Sequence, residues 1–267
     1  METKKEKEIR AYSVLGNIAI VNFPKEFNKK DKLNFAKKII SNNNQVKTVL
    51  EKTGKFKGRL RKMETKHILG EKTKEVLYKE NGCSFRFNVD TSYFSPRLSG
   101  ERKEIANLIK KGEKVLVLFA GVAPFSIVIA KNSSPLVVFS NELNREANKY
   151  GKLNIEINKF KEKVILHNGD AKKVCEKLGK VKETFDVIVM PRPQLKDSFL
   201  EDAFKVSKKG TRIYYYDFCP EEKIEEKKKM VEEEAKKSNK KIKITRIKEA
   251  GAIAPGKFRI RIDFEII

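Results

Sequence analysis

Apolar residues along this chain follow two rhythms. From Ala11 to about Asn88 the runs are short and mostly alternating. Val14–Phe23 (VLGNIAIVNF) alternates on either side of Gly16-Asn17, which predicts two short strands joined by a Gly-Asn turn, with Pro24 ending the pairing. Leu33, Phe35, Ile39 and Ile40 recur at helical spacing over 33–41, and Gln45–Leu50 (QVKTVL) reads as a strand. Val76–Tyr78 and Cys83–Asn88 (CSFRFN) read as further strands, the second with Phe85 and Phe87 on one face. Residues 1–88 are therefore expected to form a small α+β domain, after a charged, solvated start at Met1–Arg10.

Residues 89–267 read as a second, larger α/β domain. Here the apolar runs become continuous, as in strands buried on both faces: Val115–Phe119, Pro135–Phe139, Lys163–Leu166 and Phe185–Met190. Helical patterns sit among them at Arg102–Lys110, with Ile105, Leu108 and Ile109 inward, at Phe125–Ala130 and at Asn144–Asn158. After Pro193, Phe199–Val206 reads as a helix, Arg212–Phe218 as a strand and Lys223–Ser238 as a charged, solvated helix. Lys241–Ile247 and Phe258–Ile267 alternate and are separated by Gly251 and Pro255-Gly256, which suits an antiparallel pair. Strands alternating with helices predict a doubly wound, mostly parallel sheet.

Each of the four buried strands ends in polar or turn residues, where such a sheet places its ligand. Ala120-Gly121-Val122-Ala123-Pro124 is a small-residue turn running into a helix, which lets a ligand approach main chain and helix N-terminus. Taken alone it also fits any buried strand–helix unit. Ser140-Asn141-Glu142 ends the second strand, and an acid about 20 residues past the glycine turn is where this fold holds a ribose. The third strand ends in His167-Asn168-Gly169-Asp170-Ala171 and the fourth in Pro191-Arg192-Pro193.

The 60 Lys and Arg against 36 Asp and Glu, net +24, point to a polyanionic partner, most simply nucleic acid. A heat-adapted surface would explain many charges but not the positive excess. Cys83, Cys175 and Cys219 form no CxxC pair, and with two histidines, His67 and His167, they make neither a disulfide framework nor a metal cluster. No apolar segment resembles a signal peptide or approaches the ~20 residues of a membrane span. A cytoplasmic protein with no metal and no membrane partner is expected.

Tyr93-Phe94-Ser95-Pro96-Arg97-Leu98 followed by Glu101-Arg102, with FAGVAPFS, Glu142-Leu143-Asn144 and Asn168-Gly169-Asp170-Ala171, makes the chain resemble the archaeal and eukaryotic type of tRNA guanosine-37 N1-methyltransferase. The likeness runs from about Ala11 to the C-terminus, and FSPRL with Glu-Arg is its most specific part. It implies a Rossmann-like class I methyltransferase domain, a mostly parallel seven-stranded sheet with a terminal antiparallel pair, preceded by a small α+β RNA-recognition domain. It implies S-adenosyl-L-methionine as cofactor and the tRNA anticodon arm as partner, for an enzyme acting as a monomer. Methylating N1 of guanine requires removing its proton and stabilising charge on O6. The resemblance assigns Glu101 as base and the GRLRK stretch, Arg61 rather than Arg59, to the oxyanion. Without the motif Glu101 reads as a first-turn carboxylate favoured by the helix dipole, and Arg61 as a phosphate contact. Tyr93 is placed at the methionine end of the cofactor, and Arg102 at a cofactor-contacting position. Glu142 is placed on the ribose, Leu143 and Ala171 along the adenine, and Asp170 on the adenine amine, where an N-cap is the plain alternative. Phe119, Ala120, Gly121, Val122, Pro124, Pro191 and Pro193 complete the cofactor set. Arg59, Arg61, Lys62, Arg97 and Arg192 are expected on RNA.

Three departures stand out. Val117 and Leu118 occupy the place of an acid found in many class I methyltransferases, and Ala123 that of a common glycine. Pro191 stands where the family usually has asparagine, which leaves the mode of base capture open and admits action on a wyosine precursor. Two rival functions are an aminocarboxypropyl transferase of wyosine synthesis and a non-catalytic RNA-binding protein.

Overall fold

The computed structural model describes residues 12–54, 58, 63–192, 194–254 and 256–267. They divide into two compact units: residues up to Glu80 with Ser84–Pro96, and Asn81–Cys83 with Arg97–Ile267.

In the first unit the alternating VLGNIAIV becomes the hairpin β1 (Tyr12–Leu15) and β2 (Ile18–Val21), turning at Gly16 with φ +53°. Helix α1 (Lys29–Asn42) starts in a reciprocal capping box, Asn28 accepting from the Asp31 N–H and Asp31 from the Asn28 N–H. Strand β3 (Thr48–Lys52) lies parallel to β2, and β4 (Thr65–Gly70), absent from the sequence reading, pairs antiparallel to β3. α1 packs Ala36 and Ile39 against Ala19, Val21 and Val49 of this four-stranded sheet. β5 (Glu75–Glu80) and β6 (Cys83–Asn88) form a separate hairpin. Phe85 and Phe87 of β6 are buried as the alternation requires, and Phe94 stacks on Phe87 with ring centroids 4.7 Å apart. The Phe of the FSPRL motif is thus core.

The second unit is a seven-stranded sheet flanked by helices. Its elements are α2 (Ser99–Leu108), β7 (Lys114–Val117), α3 (Pro124–Asn132), β8 (Val137–Glu142), α4 (Arg145–Ile157), β9 (Val164–Asn168), α5 (Ala171–Lys180), β10 (Phe185–Met190), α6 (Leu200–Lys205), β11 (Ser207–Pro220), α7 (Ile224–Lys237), β12 (Ile242–Ala254) and β13 (Lys257–Ile266). The strand order is β12-β13-β11-β10-β7-β8-β9, with β13 antiparallel to both its neighbours. This is the expected class I arrangement. Order reverses between β7 and β10, so ligands belong at the carboxyl ends of those strands. Leu116, Leu118, Ile188, Met190, Ile213 and Tyr215 are fully buried in the core.

Three expectations need correction. Leu108, expected inward, is 37% exposed at the last residue of α2, which stops two residues short of the predicted end. β12 does not stop before Gly251 but runs through it at φ +122°, absorbing the glycine in register shifts against β13. α5 was not foreseen, although its Lys-rich sequence has Cys175 and Leu178 on a buried face. Among the described residues no helix is long and apolar enough to cross a membrane.

Candidate functional site

Four strand ends are tied into one cradle. After β7 the chain places Phe119 (φ +55°), Gly121 (φ +59°) and Ala123 (φ +65°) in left-handed backbone. For the two non-glycine residues this costs roughly 1–2 kcal/mol each, so neighbours must hold the loop. They do: the Ala120 N–H donates to the Asn141 carbonyl at 2.8 Å, the Gly121 N–H to a Glu142 carboxylate oxygen at 2.7 Å, and the Asn154 amide to the Val122 carbonyl at 3.1 Å. Gly151 of α4 lacks a Cβ where one would sit 3.7 Å from that of Ala123. The loop ends with Pro124 as the first residue of α3, where a missing N–H costs nothing.

Glu142 closes β8. One oxygen accepts from Gly121, the other from the Asn144 N–H at 2.7 Å, so the carboxylate is fixed between the glycine loop and the start of α4. Each oxygen keeps a lone pair for a further donor. Burial raises the Glu142 pKa, opposed by these main-chain donors. Beside it, buried Asn141 donates to the carbonyls of His167 and Gly169, tying β8 to the loop after β9. There Asp170 caps α5 by accepting from the Lys172 N–H at 3.0 Å. The plain N-cap reading of Asp170 therefore holds in the structure. Ala171 is buried, whereas Phe119, Leu143 and Pro191 are half-buried along the same strand ends.

Glu101 lies in the first turn of α2 and is 7% exposed. It accepts from the Tyr216 hydroxyl of β11 at 2.9 Å, from Arg261 of β13 at 2.7 Å and from Lys248 of β12 at 2.7 Å. None of these partners was anticipated. The Tyr216 ring meets the edge of Phe125, in the first turn of α3, at 5.9 Å between centroids, and the buried Arg102 guanidinium lies 5.7 Å over the same ring. Glu101 and Arg102 thus both border the helix that the glycine loop opens.

Arg192 is a correction. It is 3% exposed and donates to Asp217 at 2.6 Å and to the carbonyls of Leu195 and Asp197 at 2.7 and 2.6 Å. A buried guanidinium so committed braces its own loop and is not an RNA contact. Tyr93 is half-buried beside Phe94, and Arg97 is exposed. Arg59, Arg61, Lys62 and Pro193, like Met1–Arg10, lie outside the described residues. Among the described residues no cluster of His, Cys, Asp or Glu has metal-site geometry.

The cradle fits S-adenosyl-L-methionine: a small-residue loop for close approach, and an anchored carboxylate for paired ribose hydroxyls. The comparisons agree. The TRM5/TYW2 methyltransferase domain matches residues 76–245 and the TYW2 N-terminal domain matches residues 1–73. A tRNA (guanine(37)-N(1))/4-demethylwyosine(37)-methyltransferase, Taw22 of Nanoarchaeum equitans, is 34% identical, over 96% of this chain and 100% of that protein. The crystal structure of Trm5b from Pyrococcus abyssi superposes with a TM-score of 0.85 at 31% identity, covering 100% of this chain and 78% of that one. The M. jannaschii TYW2 structure in complex with AdoMet gives a TM-score of 0.72 at 25% identity, covering 96% and 100%. The chain belongs to the TRM5/TYW2 family of methyltransferases.

Proposed function

We propose that this protein methylates N1 of guanosine 37 in tRNA, the base 3′ of the anticodon, using S-adenosyl-L-methionine. The observation that carries the reading is the Glu142 carboxylate, pinned by Gly121 and Asn144 at the end of β8, the place this fold gives to a ribose. The cofactor supplies an electrophilic methyl group on a sulfonium. Around it, Glu142 accepts from the ribose hydroxyls, Asp170 from the adenine amine, and Phe119, Leu143 and Ala171 line the ring. The loop Ala120, Gly121, Val122 and Pro124 shapes the approach, and Pro191, Pro193, Tyr93 and Arg102 complete the cofactor set. Glu101 takes the N1 proton as the N1–methyl bond forms, and Arg61 stabilises charge on O6. Arg59, Lys62 and Arg97 contact phosphates. The enzyme acts as a cytoplasmic monomer.

A second substrate has a specific motive. Pro191 offers no side-chain amide to a target base, which relaxes the demand for an intact guanine edge. The Nanoarchaeum relative is named for both guanine 37 and 4-demethylwyosine 37. Incubation with labelled S-adenosyl-L-methionine and unmodified tRNA, followed by nucleoside mass spectrometry, tests the reading. One-methylguanosine at position 37 is expected. Cofactor binding with no product on guanosine, and methylation only of tRNA carrying 4-demethylwyosine, would restrict the enzyme to the second substrate. An aminocarboxypropyl mass would remove methyl transfer altogether.

A further inference from the structure

Glu101 sits in an ion cluster that its role as a first-turn carboxylate does not require. One oxygen, Oε1, is held by the Lys248 ammonium at 2.7 Å. The other, Oε2, is held twice, by Arg261 at 2.7 Å and the Tyr216 hydroxyl at 2.9 Å. Arg261 is itself immobile: fully buried, forked onto Asp263 at 2.6 and 2.9 Å, bonded to Glu104 at 2.7 Å, and 5.6 Å over the Tyr214 ring. Lys248 is different. Its side chain keeps 21% exposure and has a second anchor, Glu104 at 2.6 Å. The charged groups around Glu101 are thus Glu104 and Arg102 on its own helix, Lys248 and Arg246 from β12, and Arg261 and Asp263 from β13, with the hydroxyls of Tyr214 and Tyr216 from β11. Arg246 reaches Glu104 from the exposed rim at 3.2 Å, and the one charged residue of α3, Lys131, lies at that helix's far end.

We infer that Lys248 and Arg261 are positioning residues for methyl transfer, orienting Glu101, and that Oε1, the oxygen facing Lys248, is the one that accepts the proton. The inference rests on reading Glu101 as the base. A buried ion cluster is weak support for stability, since apolar groups of equal volume often serve as well. It does serve a carboxylate that must stay aimed at one point. Neighbouring Glu104 shows the strength of the two cations: burial raises its pKa, yet hydrogen bonds and charge from Lys248 and Arg261 bring it down to about 2. The oxygens differ in freedom. Oε2 cannot turn without breaking bonds to two buried groups. Oε1 is released when Lys248 swings onto Glu104, which it already touches.

Arg261 is too deeply buried for a clean test, because its loss strands three carboxylates. Lys248 carries it. Single-turnover methyl transfer, at saturating cofactor, is measured against the concentration of unmodified tRNA for wild type, Lys248→Met, Lys248→Arg and Glu101→Gln. Without the ammonium Oε1 loses its fixed direction, so the saturating rate of Lys248→Met should fall about tenfold while the tRNA concentration giving half that rate changes less than about twofold. Lys248→Arg should recover most of the rate, and cofactor affinity by calorimetry should stay within about twofold throughout. An inactive Glu101→Gln with a wild-type rate in Lys248→Met, or with a loss that Lys248→Arg does not recover, overturns the positioning role and leaves Glu101 as base. A Glu101→Gln variant of full rate overturns both.

Discussion

Glu142 is a carboxylate whose two oxygens are spoken for by main chain before any ligand arrives. A glutamine there keeps one acceptor and turns an amide N–H₂ toward an N–H donor. It loses both the anchored geometry and the charge-assisted bonds proposed to ribose, each worth about 1.5–3 kcal/mol. Glu142→Gln should therefore weaken S-adenosyl-L-methionine binding at least about tenfold by calorimetry; an unchanged Kd would place the ribose elsewhere. The same carboxylate sets a pH dependence. Burial raises its pKa, so it protonates at higher pH than an ordinary glutamate, and protonation removes the acceptor. Cofactor affinity should fall as pH is lowered through that raised value, and Glu142→Gln should abolish this dependence. The position of Glu142 was legible because strand, glycine turn and acid follow a fixed spacing. Its anchoring was not, since main-chain donors leave no trace in side-chain identity. Arg192 shows the opposite failure. A basic residue in a loop of a basic protein was assigned to RNA, while its partner Asp217 lies 25 residues on in a tyrosine-rich strand with no spacing to announce it.

At the level of elements, the hairpin β1–β2 was readable from VLGNIAIV because alternation and turn chemistry agree. Its glycine has a further duty: a Cβ on Gly16 would lie 1.8 Å from the Leu77 carbonyl oxygen, at φ +53°. Gly16→Ala should destabilise the first unit by at least about 2 kcal/mol, through collision and strain together. A thermal midpoint within a degree of wild type would show that β5 yields easily. β4 escaped notice because Thr65–Gly70 has a lysine, a histidine and a closing glycine in six residues, and only pairing with β3 makes it a strand. β13 was seen as an alternating strand, but what covers its second face was not. Phe258, Ile260, Ile262 and Phe264 alternate with Arg259, Arg261 and Asp263, which periodicity reads as a core face and a wet face. The second face is covered at Arg261, which meets the α2 carboxylates Glu101 and Glu104, and at Asp263, which accepts from Arg261. The available signal was complementary: acids three apart on a helix, opposite charges two apart on a strand.

Across the whole molecule, a formal charge of +24 is the property that sequence alone gave most directly. If basic residues grip tRNA phosphates, association releases condensed counterions. The logarithm of the tRNA binding constant should then fall with the logarithm of salt concentration at a slope of about −4 or steeper, as six or more phosphate contacts require. A slope shallower than about −2 would assign recognition to bases and shape instead. Strand order carries a different consequence, for biosynthesis. β13 is made after β12 yet inserts between β12 and β11. On the ribosome β12 therefore emerges with no partner to pair with, and the β11 edge stays open until β13 emerges. Arg261 arrives with that strand, so Glu101 and Glu104 on α2 lack its guanidinium until then. A nascent chain ending before β13 has its glycine loop and Glu142 but no assembled Glu101 cluster. Assembly of that cluster is thus delayed until the sheet zips shut.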